Sequence, residues 1–158
     1  DLAAERAELI GTERVLDLYC GTGLIGLWVR NQASEVVGVE SVPEAIADAE
    51  RLRERLGAES VRFVTGLAED VLPQWKASGE RFDVAFVDPP RMGMHPKALA
   101  ALAELAPSRI VYVSCNPRSL ARDVTALSAV GYVPSAVQPV DMFPQTAHVE
   151  CVTALDRA

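Results

Sequence analysis

Val15-Leu16-Asp17-Leu18-Tyr19-Cys20-Gly21-Thr22-Gly23-Leu24-Ile25-Gly26 reads as a strand, a tight turn and the opening of a helix. Val15 to Tyr19 is a short apolar run suited to a buried strand, and the glycines supply a turn that other residues resist. The helix runs from Leu24 to Arg30. Outward from this unit the pattern repeats. Glu35 to Glu40 is a second strand that ends in an acid. Ser41-Val42-Pro43-Glu44 reads as a capping box with Pro in the first turn. Ala45, Ala49, Leu52 and Leu56 then share one helix face, and Gly57 ends the helix. Val61 to Val64 is a strand and Ala68 to Trp75 a helix. Phe82 to Asp88 is a buried strand stopped by Pro89-Pro90. Pro96 opens a helix with Leu99, Leu102 and Leu105 inward. Arg109 to Ser114 is the fifth strand, and Leu120, Val124 and Leu127 mark the helix behind it, closed by Gly131. Upstream, residues 1–10 read as a short helix with Leu2, Leu9 and Ile10 on one side, broken at Gly11-Thr12. Downstream, Tyr132 to Val140 and His148 to Leu155 carry no helical pattern and read as a terminal antiparallel pair.

Strands alternating with helices at this spacing specify an α/β domain: an open, mostly parallel sheet with helices on both faces. Ligands of such sheets bind outside the carboxyl ends of the strands. Those ends carry Asp17 to Gly21, Glu40, Asp88-Pro89-Pro90 and Cys115-Asn116-Pro117, so the unusual residues gather on one edge. Pro117 suits the first turn of a helix, which puts Cys115 at a strand–helix junction. A thiol there faces the positive end of a helix dipole, a setting that suits a nucleophile. A small buried hydrophobe is the plainer reading of a lone cysteine.

The chain has 158 residues, enough for one domain with its own core. Apolar residues make up 49% and charged residues 23%, an ordinary globular composition. No apolar run approaches the ~20 residues of a membrane span. Cys20, Cys115 and Cys151 form no paired spacing, which argues against a disulfide framework or a metal cluster and points to a reducing, cytoplasmic setting. The net charge of −7 argues against a broad basic nucleic-acid surface on this domain by itself. The chain starts at Asp1 rather than Met, which suggests a piece of a longer protein.

Five β/α units followed by two strands without a helix resemble the seven-stranded Rossmann-like (class I) fold of S-adenosylmethionine-dependent methyltransferases. Gly21-Thr22-Gly23-Leu24-Ile25-Gly26 also matches the GxGxxG of dinucleotide enzymes, with Glu40 seventeen residues beyond Gly23, so a nicotinamide enzyme is an alternative. Asp17 counts against it, because an anion beside the glycine turn opposes a pyrophosphate and suits the methionine ammonium. Gly21 and Gly23 let the backbone approach a cofactor. Glu40 is placed to accept from ribose hydroxyls, Asp70 to take the adenine amino group, and Tyr19 to pack nearby.

The chemistry follows from Cys115. C5 of a uracil is too weak a nucleophile to attack a sulfonium methyl unaided. A thiolate adding to C6 makes C5 nucleophilic, and a base must then remove the C5 proton. The sequence resembles the RNA uracil-5-methyltransferase family, which makes 5-methyluridine in ribosomal or transfer RNA. The resemblance is carried by Asp17 to Gly23, Asp88-Pro89-Pro90-Arg91, Ser114 to Pro117 through Leu120-Ala121-Arg122-Asp123, and Asp141 to Glu150. It implies Cys115 as nucleophile, Glu150 as base, and Asp88 near both cofactor and target base. It also implies cofactor positions at Tyr19, Glu40 and Asp70. RNA is the implied partner, ribosomal ahead of transfer RNA, with neither membrane nor metal. Some features of the family are missing: a Gln-bearing segment before Asp1, a β-barrel RNA-binding domain, a four-cysteine site, and a polar residue where Leu24 stands. Residues 1–158 are therefore expected to be a catalytic domain without its N-terminal RNA-binding domain. An RNA cytosine-5-methyltransferase and a non-catalytic cofactor-binding module are the other readings.

Among the remaining residues, Cys20 is expected to pack beside the turn and Cys151 to face the core, opposite Glu150. His148 is expected to support its strand, and His95 to sit at a helix start. Arg91, Arg118 and Arg122 lie near the active edge, where phosphates or plain solvent are both possible. Phe143 is placed to stack on an extruded base or to anchor its loop.

Overall fold

In the computed structural model, which describes residues 2–142, 144–146 and 149–158, strands and helices alternate. The order is α1 (Leu2–Ala7), β1 (Arg14–Leu18), α2 (Leu24–Val29), β2 (Glu35–Glu40), α3 (Pro43–Arg55), β3 (Val61–Thr65) and α4 (Ala68–Ser78). There follow β4 (Val84–Val87), α5 (Pro96–Leu105), β5 (Arg109–Ser114), α6 (Pro117–Ser128), β6 (Tyr132–Pro134), β7 (Gln138–Val140) and β8 (Glu150–Arg157). The strands form one sheet in the order β3-β2-β1-β4-β5-β8-β6, with β7 also on β8. β1 to β5 are mutually parallel, and β8 runs antiparallel between β5 and the edge. This is the expected architecture, with one refinement. The last edge strand is broken in two at Ser135, whose N–H donates to the Ala154 carbonyl at 2.7 Å and whose Oγ accepts from Ala154 N at 3.2 Å.

The sheet separates two apolar layers, because alternate residues of each strand face opposite sides. Leu16, Leu18, Ile110 and Tyr112 pack with Leu72, Leu102 and Leu127 of α4 to α6. Val15, Val36, Phe86 and Val111 pack on the other face with Leu27 and Val29 of α2 and Ala7 of α1. β1 and β4 are central and are buried along almost their whole length, as strands covered on both faces must be.

Three local expectations are corrected. α1 ends at Ala7, and Ile10 is 81% exposed. The Glu13 carboxylate accepts from the amides of Ile10, Gly11 and Thr12, which makes this stretch a turn. Ser41 does not cap α3. The N-cap is Val42, and Ser41 Oγ donates to Glu40 Oε1 at 3.0 Å instead. The buried face of α3 is carried by Ile46 and Ala49, while Leu56 turns outward at the helix end.

Candidate active site

β1 delivers the chain into a turn of left-handed residues: Tyr19 at φ 63°, Gly21 at 54° and Gly23 at 76°. Two acids hold it. Glu40, at the end of neighbouring β2, accepts from Gly21 N at 3.1 Å through one oxygen. Its other oxygen accepts from Ser41 N, Ser41 Oγ and Val42 N at 2.7 to 3.0 Å. An acid ending a buried strand needs partners, and here they are the backbone amides of two loops. Asp17 sits beneath the turn, fully buried, and its Oδ2 accepts from Gly26 N at 2.8 Å. Its Oδ1 has no hydrogen-bond partner among the described residues. Burial pushes this carboxyl up to about 7, against the pull of the Gly26 N–H, and the charge of Asp88 adds to the rise. Asp17 therefore lies under the groove described next rather than on its wall.

The two glycines serve different ends. A Cβ at Gly23 would overlap the Phe63 ring, so Gly23 is required by packing against β3. A Cβ at Gly21 would meet nothing within 4 Å, so this position borders open space. Cys20 packs behind the turn. Burial, then the charges of Asp17 and Glu40, raise its thiol far above the ordinary range, which suits an inert side chain.

In front of the turn lies a groove of about 630 Å³, walled by Tyr19, Glu40, Glu69, Asp88, Met92 and His95 among others. Its size suits a nucleoside-sized ligand. Burial and the Glu69 carboxylate push the Tyr19 phenol up to about 12, so it stays a neutral donor. Asp70 lies exposed in the first turn of α4, and Glu69, one residue earlier, lines the groove. His95 caps α5, its Nδ1 accepting from Lys97 N at 3.3 Å, and it also borders the groove.

A second cavity of about 500 Å³ opens on the α1/α2 face of the sheet and contains Asp88, Val113, Cys115, Val140, Met142 and Glu150. The pairing of β5 with β8 sets Ser114 opposite Cys151. Continued one residue, that register sets Cys115 opposite Glu150, on the face shared with Val113 and Val152. Cys151 faces the other layer, as expected. Asn116 caps α6, its Oδ1 accepting from Arg118 N at 3.1 Å, and Pro117 fills the first turn, so Cys115 is fixed at the junction. Asp88 borders both cavities. Although its carboxyl opens onto them, the surrounding protein and then the charge of Glu150 push it up to about 6.

Arg122 lies back on the protein, its Nη2 donating to the Met92 carbonyl at 2.8 Å, and Arg118 is exposed in the first turn of α6. The Arg91 carbonyl accepts from Asn116 Nδ2 at 2.8 Å. Asp1, Phe143 and His148 lie outside the described residues. Among the described residues, no three His, Cys, Asp or Glu side chains are grouped to hold a metal ion, and no helix is long and apolar enough to cross a membrane.

A family model described as tRNA (Uracil-5-)-methyltransferase matches residues 4–158. The chain belongs to this family. Every stretch that carries the sequence resemblance borders one of the two cavities or the helix behind Cys115. The chain is 51% identical over 156 residues to an uncharacterized RNA methyltransferase of Halalkalibacterium halodurans, covering 99% of this chain and 34% of that protein. It is 47% identical over 154 residues to one of Enterococcus faecalis, covering 98% and 34%. The chain thus spans about a third of the length of the curated relatives it matches. Among solved structures, the Pyrococcus abyssi tRNA (uracil-54, C5)-methyltransferase in complex with S-adenosyl-L-homocysteine superposes with a TM-score of 0.83 at 37% identity. It covers 98% of this chain and 37% of that one. A precorrin-6y C5,15-methyltransferase of Geobacter metallireducens superposes at 0.81 with 15% identity, a likeness of fold alone; 99% of this chain and 86% of that one are covered.

Sequence reasoning missed two residues of this region, Glu69 and Asp123. The signal for Asp123 was present, since it interrupts the apolar stripe of Leu120, Val124 and Leu127 on α6.

Proposed function

We propose that residues 1–158 form the catalytic domain of an RNA methyltransferase. It moves a methyl group from S-adenosylmethionine to C5 of a uridine in cytoplasmic RNA. One observation carries this reading: Cys115 and Glu150 line one cavity, and Asp88 borders both that cavity and the cofactor-sized groove. The names of the relatives and the ligand of the Pyrococcus abyssi structure support it.

The groove fits the cofactor in two respects. Glu40 presents a carboxylate fixed by backbone amides, and Tyr19 offers a flat neutral ring, while the neighbouring Gly21 leaves open space beside the turn. Gly23 shapes the turn from behind, Glu69 takes the place expected for Asp70 toward the adenine amino group, and Asp17 holds the turn from below. Bound there, the cofactor supplies an electrophilic methyl on a sulfonium.

The protein's own residues then act in sequence. The Cys115 thiolate adds to C6 of the uracil; the C6–S bond forms, and the C5–C6 π pair moves into an enolate across C5, C4 and O4. Asp88, at the junction, faces the place where C5 meets the methyl. Once C5 carries the methyl, the Glu150 carboxylate takes the C5 proton. The released pair restores the C5–C6 double bond and expels Cys115 as thiolate. The net charge of −7 leaves most of the grip on RNA phosphate to another domain or partner.

The test is incubation with 5-fluorouridine RNA and S-adenosylmethionine. Fluorine at C5 cannot leave as a proton, so a Cys115-linked RNA adduct accumulates and is seen by mass spectrometry. Methylated uridine formed without such an adduct defeats the covalent mechanism, and 5-methylcytidine as the methylated product in ordinary RNA assigns the other pyrimidine.

A further inference from the structure

Behind the groove, three separate pieces of the chain meet on one buried carboxylate. Asp123 of α6 is 1% exposed. Its Oδ2 accepts from Met94 N at 2.8 Å and from the Tyr112 hydroxyl of β5 at 2.6 Å. Its Oδ1 accepts from Arg122 Nε at 2.8 Å. Arg122 in turn donates to the carbonyl of Met92 at 2.8 Å and to that of Met94 at 3.4 Å. At the head of the same helix, Asn116 Nδ2 donates to the Arg91 carbonyl. The segment from Arg91 to Met94 is thus tied to α6 at every residue but Gly93. That position has no room for more: φ is 81°, and a Cβ would stand 2.5 Å from Arg122 Nη2 and 2.6 Å from Asp123 Oδ2.

The other side of this segment is functional ground. Met92, Gly93, Met94 and His95 wall the groove. α6, to which the segment is tied, begins two residues after Cys115. One rigid helix therefore carries the nucleophile at its head and the groove wall along its flank.

We propose that Asp123 is a positioning residue that latches the Arg91–His95 segment to α6 and so sets the cofactor groove relative to Cys115. The inference rests on the reading of the groove as the S-adenosylmethionine site. A buried carboxyl group is a costly way merely to fasten a helix. Burying it costs several kcal/mol in general, and apolar packing of similar volume often stabilises as well. What a carboxylate adds is direction: Asp123 accepts from a loop amide, a strand hydroxyl and a guanidinium at once, and only one placement of the segment satisfies all three. Tyr112 completes the arrangement. Burial and the Asp123 carboxylate hold its phenol far above the ordinary range, so it remains a donor.

The test compares Asp123→Asn, Arg122→Gln and, as a control, Tyr132→Phe. The Tyr132 hydroxyl donates to the Pro107 carbonyl at 2.9 Å, buried and away from both cavities, so its loss reports general destabilisation. Calorimetric titration with S-adenosylhomocysteine is expected to show Kd raised about tenfold in Asp123→Asn, the scale of one lost hydrogen bond to a charged group. Arg122→Gln is expected to shift it less in the same direction, and Tyr132→Phe to leave it unchanged. Unchanged affinity in a folded Asp123→Asn chain overturns the proposal, as does an equal loss in Tyr132→Phe. Arg122 itself borders the groove, so should Asp123→Asn fail to fold, Tyr112→Phe, which removes a donor to Asp123 from outside the groove, decides by the same criterion. A wild-type chain that binds no S-adenosylhomocysteine defeats the cofactor reading instead. The latch is then judged by exchange of the Met94 amide, which must accelerate in Asp123→Asn and not in Tyr132→Phe.

Discussion

Cys115 and Glu150 are 35 residues apart in the chain and stand opposite one another where β5 and β8 end and begin. Directly opposed residues of an antiparallel pair have Cα atoms roughly 4.5–5.5 Å apart. The two residues proposed as nucleophile and base are thus held by strand register rather than by loop conformation.

This separation of roles predicts different failures for the two residues. Cys115→Ala is expected to abolish both methylation and adduct formation with 5-fluorouridine RNA. Glu150→Gln keeps the thiol, so it is expected to form the adduct and release it slowly. Turnover falls by about 10²–10⁴-fold, the usual weight of a general base. Covalent RNA–protein complex on a denaturing gel, with ordinary uridine RNA, checks this; an adduct from Cys115→Ala would remove the residue from the mechanism.

Asp17 gives a pH signature of its own. Its folded pKa, about 7, lies above the ordinary carboxyl value of 3.8. Between those values the folded chain holds a proton that the unfolded chain releases. Stability is therefore expected to fall as pH rises from about 4 to about 7, and to level off above that. Asp88, raised to about 6, adds a slope of the same sign. Asp17→Asn keeps an oxygen for the Gly26 N–H and removes the titration. Thermal unfolding at pH 5 and pH 8 should show a smaller difference in Asp17→Asn than in wild type; an equal difference places the titration elsewhere.

The turn glycines are expected to separate stability from binding. Gly23→Ala drives a methyl into Phe63 and should lower Tm well below that of Gly21→Ala, although both pay the left-handed cost of about 1–2 kcal/mol. Phe63→Ala should recover part of the loss at Gly23 and none at Gly21. Gly21→Ala should instead fold and weaken S-adenosylhomocysteine binding. Differential scanning calorimetry beside ligand titration reads both effects.

Neighbouring acids at the start of α4 make a paired test. Glu69→Gln is expected to weaken S-adenosylhomocysteine binding, and Asp70→Asn to leave it unchanged, because only the former side chain borders the groove. The reverse result would return the adenine contact to Asp70.

The alternation of strands and helices was legible because buried parallel strands are nearly continuous apolar runs, and β2 and β5 keep their expected bounds. The resemblance named Cys115 and Glu150 together from two local motifs, and the pairing of β5 with β8 brings both to one cavity. Which of the adjacent acids Glu69 and Asp70 borders the groove was not legible, because helix phase decides it, and Ala68 and Leu72 set that phase by burial. The Ser41 cap was misread because a neighbouring carboxylate, Glu40, competes for the same amides. Asp123 stood out on its apolar stripe, but its partners Met94 and Tyr112 lie 29 and 11 residues away, beyond the reach of local pattern.

β8 is the last strand in the chain and yet an interior strand of the sheet, between β5 and the edge. The groove and Cys115 belong to elements that precede it, while Glu150 arrives with it. β8 therefore both closes the sheet and brings Glu150 to the cavity that Cys115 lines, so under the proposed mechanism the strand that completes the fold also supplies the proposed base.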